Sequence, residues 1–394
     1  MIERSYSSSR VFWRRYLYFP VLISICVLLV SQTRYFFFSS GWRWIYLLYL
    51  SISLSFCLTP VFSRIAQKFD IVDKPDSRKI HMEATPLLGG AAVFIAFLVS
   101  VLVNGIFSLG LGAILIASTA IFLIGVLDDV KEISAGTKLI VQVLSTVLVM
   151  SCGIVLRVIP ENLGIFSLAG NAFLTILWII GITNAMNFFD GMDGLSAGLG
   201  ATISFFLGVV AFLTAQPFIG WIAVAMMGSC LGFLSYNFRI KGNASIFLGD
   251  AGSTVIGFIL ACVAVYGDWA ENDPVVALAS PLLIFWVLIF DMIHITADRI
   301  LTGKVKNLRQ WIEYVGKDHL HHRLAKILGG QKKSVLFIFL LSLCLGTSAV
   351  VLRNARLVDA ILVLIQASVI VILITILERR GRSLSNDNNE NELS

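Results

Sequence analysis

Residues 109–132 read LGLGAILIASTAIFLIGVLDDVKE: nineteen residues without a charge, closed by two aspartates, a lysine and a glutamate within five positions. At about 1.5 Å of rise per residue, a helix of about 20 apolar residues is what the hydrocarbon core of a bilayer requires. The run therefore reads as a membrane span whose polar end meets water. Runs of about 15 to 22 apolar residues alternate with short polar segments along almost the whole chain. Across 394 residues, 57% are hydrophobic and 14% charged, with a mean hydropathy of +0.87, whereas about a quarter of an ordinary globular chain is charged. A water-soluble fold is excluded, and the expected class is all-α: a polytopic transmembrane helical bundle of about 11–12 spans.

Twelve candidate spans lie at approximately 16–37, 43–63, 87–106, 109–127, 138–156, 171–187, 195–214, 218–236, 251–267, 275–297, 334–352 and 358–377. Twelve crossings place both termini on one side, together with the loops at 64–86, 128–137, 188–194, 237–250 and 298–333. By this scheme 25 of the 30 Lys and Arg residues fall on that side, against Arg34, Arg43, Arg157, Arg353 and Arg356 on the other. Lys and Arg accumulate in cytoplasmic loops, so this side is expected to face the cytoplasm and the net charge of +6 reports topology. Basic residues divided among separate segments make no nucleic-acid footprint.

Three regions follow: an N-terminal cytoplasmic segment with an extra span (1–42), a membrane domain (43–380) and a polar, disordered tail (381–394). The N-terminus has a basic front and an apolar middle, yet no small-residue cleavage site before Arg34, so it is expected to be retained as a span. Six cysteines without short spacing indicate neither a disulfide framework nor a zinc site. No internal repeat of the kind common in transporters is evident.

Chemistry concentrates at the ends of the apolar runs on the expected cytoplasmic side. An aspartate near the middle of a span costs about 2.5–3.5 kcal/mol on insertion scales, so such residues usually face a cavity or a partner. Asn184, Asn187, Asp190 and Asp193 recur at intervals of three and share one face while the segment stays helical. Two amides and two carboxylates supply hydrogen-bond donors and hard oxygen ligands, suited to a polar substrate and magnesium. Asp128 and Asp129 stand about 100° apart on a helix, and a nearby cation or basic group would relieve their repulsion. Asp250, between Gly249 and Gly252, opens a helix, where a carboxylate can cap and free backbone N–H groups can hold phosphate oxygens. Asp291 is embedded in an apolar run. DHLHHRL places His319, His321, His322 and Arg323 nearly together, which ranks anion binding above metal ligation. Arg78, Lys79 and His81 occupy the first of these loops. Carboxylates, amides, histidines and cations on one membrane face suit diphosphate chemistry on a lipid.

At these residues the chain resembles the polyprenyl-phosphate N-acetylhexosamine-1-phosphate transferases. The resemblance runs from about Asp70 to Leu324, through RKIHMEATPLLGG, GVLDDVKE, NAMNFFDGMDGLSAG, NFRIKGNASIFLGDAGS and DHLHHRL, in that order. It implies transfer of a sugar-1-phosphate from a UDP-activated N-acetylated sugar to undecaprenyl or another polyprenyl phosphate. The products are UMP and the lipid-diphosphate-linked sugar that initiates a cell-surface glycan, made with Mg2+ (or Mn2+) at the inner, cytoplasmic membrane. Assembly as a homodimer stays open.

The resemblance implies Asp250 as metal ligand with Asp190, and a catalytic set of Asp128, Asp129, Asp190 and Asp193. It implies substrate contacts from Asn184, Asn187, Phe247, Arg78, Lys79, His81, His319, His321, His322 and Arg323. Phe247 occupies the position that packs on uracil in the peptidoglycan branch. Leu320 between the histidines and the bare TPLLGG favour the GlcNAc-type branch over the muramoyl-pentapeptide one. Two rivals are weighed: a secondary transporter, whose acids should lie near the midplane, and a UbiA-type prenyltransferase, which needs a second Asp-rich motif not found in a comparable position. A CDP-alcohol phosphotransferase would need an Arg that DGMDGLSAG lacks.

Overall fold

A computed structural model describes residues 17–73, 84–239, 242–269, 274–307, 310, 314, 316, 318–352 and 355–392, without the side chains of 274–276 and 377–392. Every predicted apolar run coincides with a helix. In chain order these are α1 (Leu17–Leu29), α2 (Ser31–Ser39), α3 (Arg43–Lys68), α4 (Gly89–Asn104), α5 (Leu109–Val130), α6 (Ala135–Ser151), α7 (Ile165–Phe188), α8 (Leu195–Leu213), α9 (Pro217–Asn237), α10 (Gly249–Tyr266), α11 (Pro274–Ile284), α12 (Trp286–Leu301), α13 (Leu320–Ile327), α14 (Gln331–Leu352) and α15 (Leu357–Glu392). Among the described residues eight helices are long and apolar enough to cross a membrane, or up to ten if each of two bent pairs counts as one span; α4 and α6 are shorter apolar helices. The protein is a polytopic all-α membrane protein.

Two runs read as single spans are broken. α1 and α2 meet at 75°, because Val30 takes extended dihedrals between them; the Leu28 carbonyl left over at the end of α1 accepts from the buried Tyr46 hydroxyl at 2.8 Å. α11 and α12 meet at 76° at Phe285, where α11 ends at Ile284 and α12 begins at Trp286. α12 thereby turns away from the line of a simple span. At the other end, α15 runs on to Glu392 where the composition suggests disorder; once a span has nucleated the helix, each added residue gains a bond without a new nucleation cost.

The centre of the bundle is α10, buried at every residue from Ala251 to Val265 and packed against α4, α5, α7, α8 and α9. A helix apolar on all sides belongs in such a place. Small residues let its neighbours approach: a Cβ on Gly90 of α4 would strike the backbone of Gly252, and one on Gly125 of α5 would strike Ala251, the close-backbone packing that membrane helices use. Outward, Ile116, Leu123 and Leu127 of α5 are exposed to the apolar surroundings.

The packing fixes one end of α10 among the segments that carry the polar residues. The strand pair Val72–Asp73 and Thr85–Pro86, antiparallel with Val72 opposite Pro86, closes the loop before α4. Pro86 O accepts from Phe247 N (2.8 Å), while Gly89 N and Gly90 N donate to Phe247 O (3.0 Å) and Leu248 O (2.7 Å). Three backbone hydrogen bonds thus bind the approach to α10 onto the start of α4.

Substituting Gly252→Ala should lower the thermal midpoint of the detergent-solubilised protein, by about 1–3 kcal/mol of overpacking. Gly112→Ala, whose new methyl meets no atom within 4 Å, should leave the midpoint unchanged or raise it slightly. Equal midpoints would contradict the packing.

Candidate active site

The site begins at the N-terminus of α10. Gly249 has φ +74°, and a Cβ there would lie 2.6 Å from both an Asp129 carboxylate oxygen and the Leu87 carbonyl, so only glycine makes the turn. The first N–H groups of a helix have no partner within it. Here Asp250 N–H donates to Asp129 Oδ1 at 2.8 Å and Ala251 N–H to Asp129 Oδ2 at 3.3 Å, with Asp190 beside Gly249. The helix is capped by a carboxylate of α5, Asp129. The N–H groups expected from sequence to be open for phosphate are already occupied, and the capping expected of Asp250 itself is done by Asp129.

Relieved of capping, Asp250 turns its carboxylate to two other elements. Its Oδ1 accepts from Asn187 Nδ2 at 3.0 Å, and its Oδ2 from Lys138 Nζ at 2.9 Å. The same ammonium lies 2.9 Å from Asp128 Oδ2, while Asp128 Oδ1 accepts from Ile133 N at 2.7 Å. Asn187 also donates to Ser253 Oγ at 2.9 Å. Four half-buried acids from three helix ends, Asp128, Asp129, Asp190 and Asp250, therefore lie close together, and Lys138 pairs with two of them, Asp128 and Asp250.

In the sequence Lys138 is one positive charge among the 30 Lys and Arg, and the signal for its role is the hairpin itself. Ser134 Oγ accepts from Thr137 N and starts α6 a few residues after α5 ends, so the first turn of α6 returns beside Asp128. A lysine in a helix's first turn opposes the dipole and calls for acid partners.

The remaining predicted residues separate. α7 ends at Phe188, a 3₁₀ turn spans Phe189–Gly191, and Gly194 is left-handed, so the face predicted for Asn184 to Asp193 is cut short. Asn184 exchanges amide hydrogen bonds with Gln142 of α6 (2.7 and 3.3 Å). Asp193 accepts from Ala244 N at 2.6 Å and borders a cleft of about 380 Å³ lined also by Asn243, Gly330, Gln331, Lys332 and Lys333. Asn237, which sequence reasoning missed, accepts from Gly194 N (2.7 Å) and donates to Ile246 O (3.0 Å), tying these loops together. Phe247 is half-buried and held by its backbone. Arg78, Lys79 and His81 lie outside the described residues.

The histidine motif sits over the turn that carries Asp190. His319 stacks on Phe188 at 5.0 Å between centroids. His321 is fully buried, rests against Phe189 and His322, and a Cβ on Gly191 would come within 2.9 Å of its Nε2. Neither of its ring nitrogens has a hydrogen-bond partner among the described residues. Burial, reinforced by His322, His319 and Arg323, holds its imidazole well below the ordinary histidine range, so it is neutral at pH 7 and keeps one donor and one acceptor. Arg323 is buried too, its Nη1 2.8 Å from His294 Nδ1 on α12. Burial would raise the Asp318 carboxyl, but the bidentate Arg299 guanidinium (2.7 and 2.9 Å) holds it below the usual range.

Among the described residues no three His, Cys, Asp or Glu side chains are grouped to hold a metal by themselves. The donor set nonetheless fits a hard cation of small protein demand: Mg2+ takes one or two carboxylates and completes its shell with water and substrate phosphate.

Residues 111–268 match the profile described as glycosyl transferase family 4. The chain is 35% identical over 302 residues to the probable undecaprenyl-phosphate N-acetylglucosaminyl 1-phosphate transferase of Bacillus subtilis, covering 76% of this chain and 82% of that protein. It is 31% identical over 343 residues to the decaprenyl-phosphate N-acetylglucosaminephosphotransferase of Mycobacterium leprae, covering 78% and 84%. Against the undecaprenyl-phosphate alpha-N-acetylglucosaminyl 1-phosphate transferase of Yersinia pestis, identity is 25% over 315 residues, covering 78% and 82%.

Asp129→Ala should lower the thermal midpoint by the equivalent of about 1–2 kcal/mol, since it leaves two N–H groups of α10 without acceptors. Asp129→Asn, which keeps one acceptor oxygen, should recover part of the loss. Tryptophan fluorescence during heating measures both, and an unchanged midpoint for the alanine variant would refute the capping role.

Proposed function

The chain belongs to the polyprenyl-phosphate N-acetylhexosamine-1-phosphate transferases of glycosyl transferase family 4, and on that premise we propose that it moves N-acetylglucosamine-1-phosphate from a UDP-linked donor to a polyprenyl phosphate. The observation that carries the proposal is the meeting of Asp128 and Asp250 on Lys138, directly beside the turn that bears Asp190 and the histidines. A site that gathers carboxylates and a lysine at one end of the bundle suits charge neutralisation of a diphosphate, the main requirement of phosphoryl transfer.

An oxygen of the lipid phosphate attacks the β-phosphorus of the donor, forming a new P–O–P bridge. The bond between that phosphorus and the bridging oxygen breaks, and the oxygen leaves on UMP. A phosphate monoester has its second pKa near 6, so Asp128 has little proton to remove and serves chiefly to place Lys138 and the acceptor. Lys138 supplies positive charge, and the neutral His321, with His322, donates to phosphate oxygens. Asn187 holds the Asp250 carboxylate in place, and Asp193, through Ala244, shapes the wall on which the sugar nucleotide rests. Asp250 and Asp190 would hold Mg2+, which supplies Lewis-acid polarisation of the diphosphate when bound.

The excess of Lys and Arg on the loops that carry these groups supports a site at the cytoplasmic face of the inner membrane, where nucleotide and lipid head group meet. The lipid-linked product suits the first step of a cell-surface glycan.

UMP release should follow addition of UDP-GlcNAc and polyprenyl phosphate to the purified protein in lipid. EDTA should abolish it and Mg2+ restore it, while Asp250→Asn should reduce turnover by at least about 100-fold, a loss on the scale of removing one charge-stabilising group. Full turnover by folded Asp250→Asn would overturn the assignment.

A further inference from the structure

The break between α11 and α12 brings one charged residue that the proposed chemistry does not use into the interior. Asp291 of α12 is fully buried, where an unpaired carboxylate is costly. Its partners all come from the histidine segment. Oδ2 lies 2.7 Å from His319 Nδ1, Oδ1 accepts from Leu320 N at 2.7 Å, and Arg323 Nη2 lies 3.7 Å from Oδ1. One side chain thus caps α13 and grips the residue that precedes it.

A carboxylate only accepts, so the proton between Asp291 and His319 belongs to Nδ1. That assigns the tautomer and leaves Nε2 as the nitrogen that makes no hydrogen bond to a described residue. Two contacts then hold the ring: Phe188 stacks on its face, 26° from parallel, and Asp291 fixes its rotation about the Cβ–Cγ bond. Phe188 adjoins Asn187, which binds Asp250. The imidazole is therefore referenced to the acid cluster on one side and to α12 on the other.

We propose that Asp291 is a positioning residue for the transfer reaction, holding His319 in the Nδ1–H form so that the lone pair of Nε2 faces the substrates, where it accepts a hydrogen bond from a substrate O–H or N–H. The inference rests on the transferase reading above. Carboxylates behind functional histidines fix the ring's tautomer and orientation in this way, and their loss typically costs about 10–100-fold. The bend at Phe285 has a purpose in this reading, since it turns α12 so that Asp291 meets the start of α13.

The test is a double-mutant cycle on the full chain in lipid nanodiscs: wild type, Asp291→Asn, His319→Ala and the double variant, each assayed for UMP release. Asp291→Asn should lower kcat by about 10–100-fold and change the donor KM less than about threefold. In the His319→Ala background the same change should cost less than about twofold, because its target is gone. An equal loss in both backgrounds, or full activity of Asp291→Asn, overturns the inference. If Asp291→Asn is not recovered folded, His319→Asn decides. Its amide can donate to Asp291 as Nδ1 does but offers nothing at Nε2, so it should keep the wild-type thermal midpoint without activity, while His319→Ala loses stability. Equal midpoints for these two variants would overturn the Asp291 contact. A wild-type protein that releases no UMP refutes the transferase reading itself.

Discussion

Two backbone N–H groups at the start of α10 have no partner inside the helix, and the chain gives both to a carboxylate of another element, Asp129. Most of the site's arrangement depends on this. Because α10 is sheathed by neighbours along its whole length, its end could not be satisfied by bulk water. Supplying the acceptors from α5 pins that helix to the start of α10, and Asn187 ties α7 to the same point. Asp250, one residue into the helix, is then free to face Lys138 and Asn187.

The charges so assembled carry the functional argument. A cluster rich in carboxylates and paired with a single lysine favours further positive charge, or ligands that bring it. A magnesium-bound sugar nucleotide answers that requirement in the proposed reaction. The histidine segment adds neutral donors from the other side: buried His321 cannot readily charge, so it offers an N–H without adding to the cationic balance. Asp291 extends the same scheme one layer outward, by setting which nitrogen of His319 is exposed. Each layer is held by the next, from α12 through the histidines to the turn after α7 and on to α10.

Membrane residence and the polar helix ends are legible in the sequence because apolar run length and misplaced acids are local signals. Asp128, Asp190 and Asp250 stand out against apolar surroundings, and the structure brings them together. What requires three dimensions is the division of labour among them. Nothing local distinguishes Asp129, which caps a helix some 120 residues away, from its neighbour Asp128, which meets a lysine. Lys138 is hidden because a lone lysine after a polar turn looks like topology. The spacing of Asn184 to Asp193 suggests one helical face, but tertiary packing ends α7 at Phe188 and gives Asn184 to Gln142. The bends at Val30 and Phe285 are likewise invisible to hydropathy, which measures composition and not direction.

The central claim is that the Lys138 ammonium, shared by Asp128 and Asp250, is the point around which the donor diphosphate assembles. Single-turnover transfer of sugar phosphate from UDP-GlcNAc labelled in its β-phosphate, measured for Lys138→Met in lipid nanodiscs, tests it most directly. The account predicts a folded protein whose transfer rate is lower by at least about 100-fold, the scale of losing one electrostatic contact to the transition state. A folded Lys138→Met protein that transfers at the wild-type rate would contradict it.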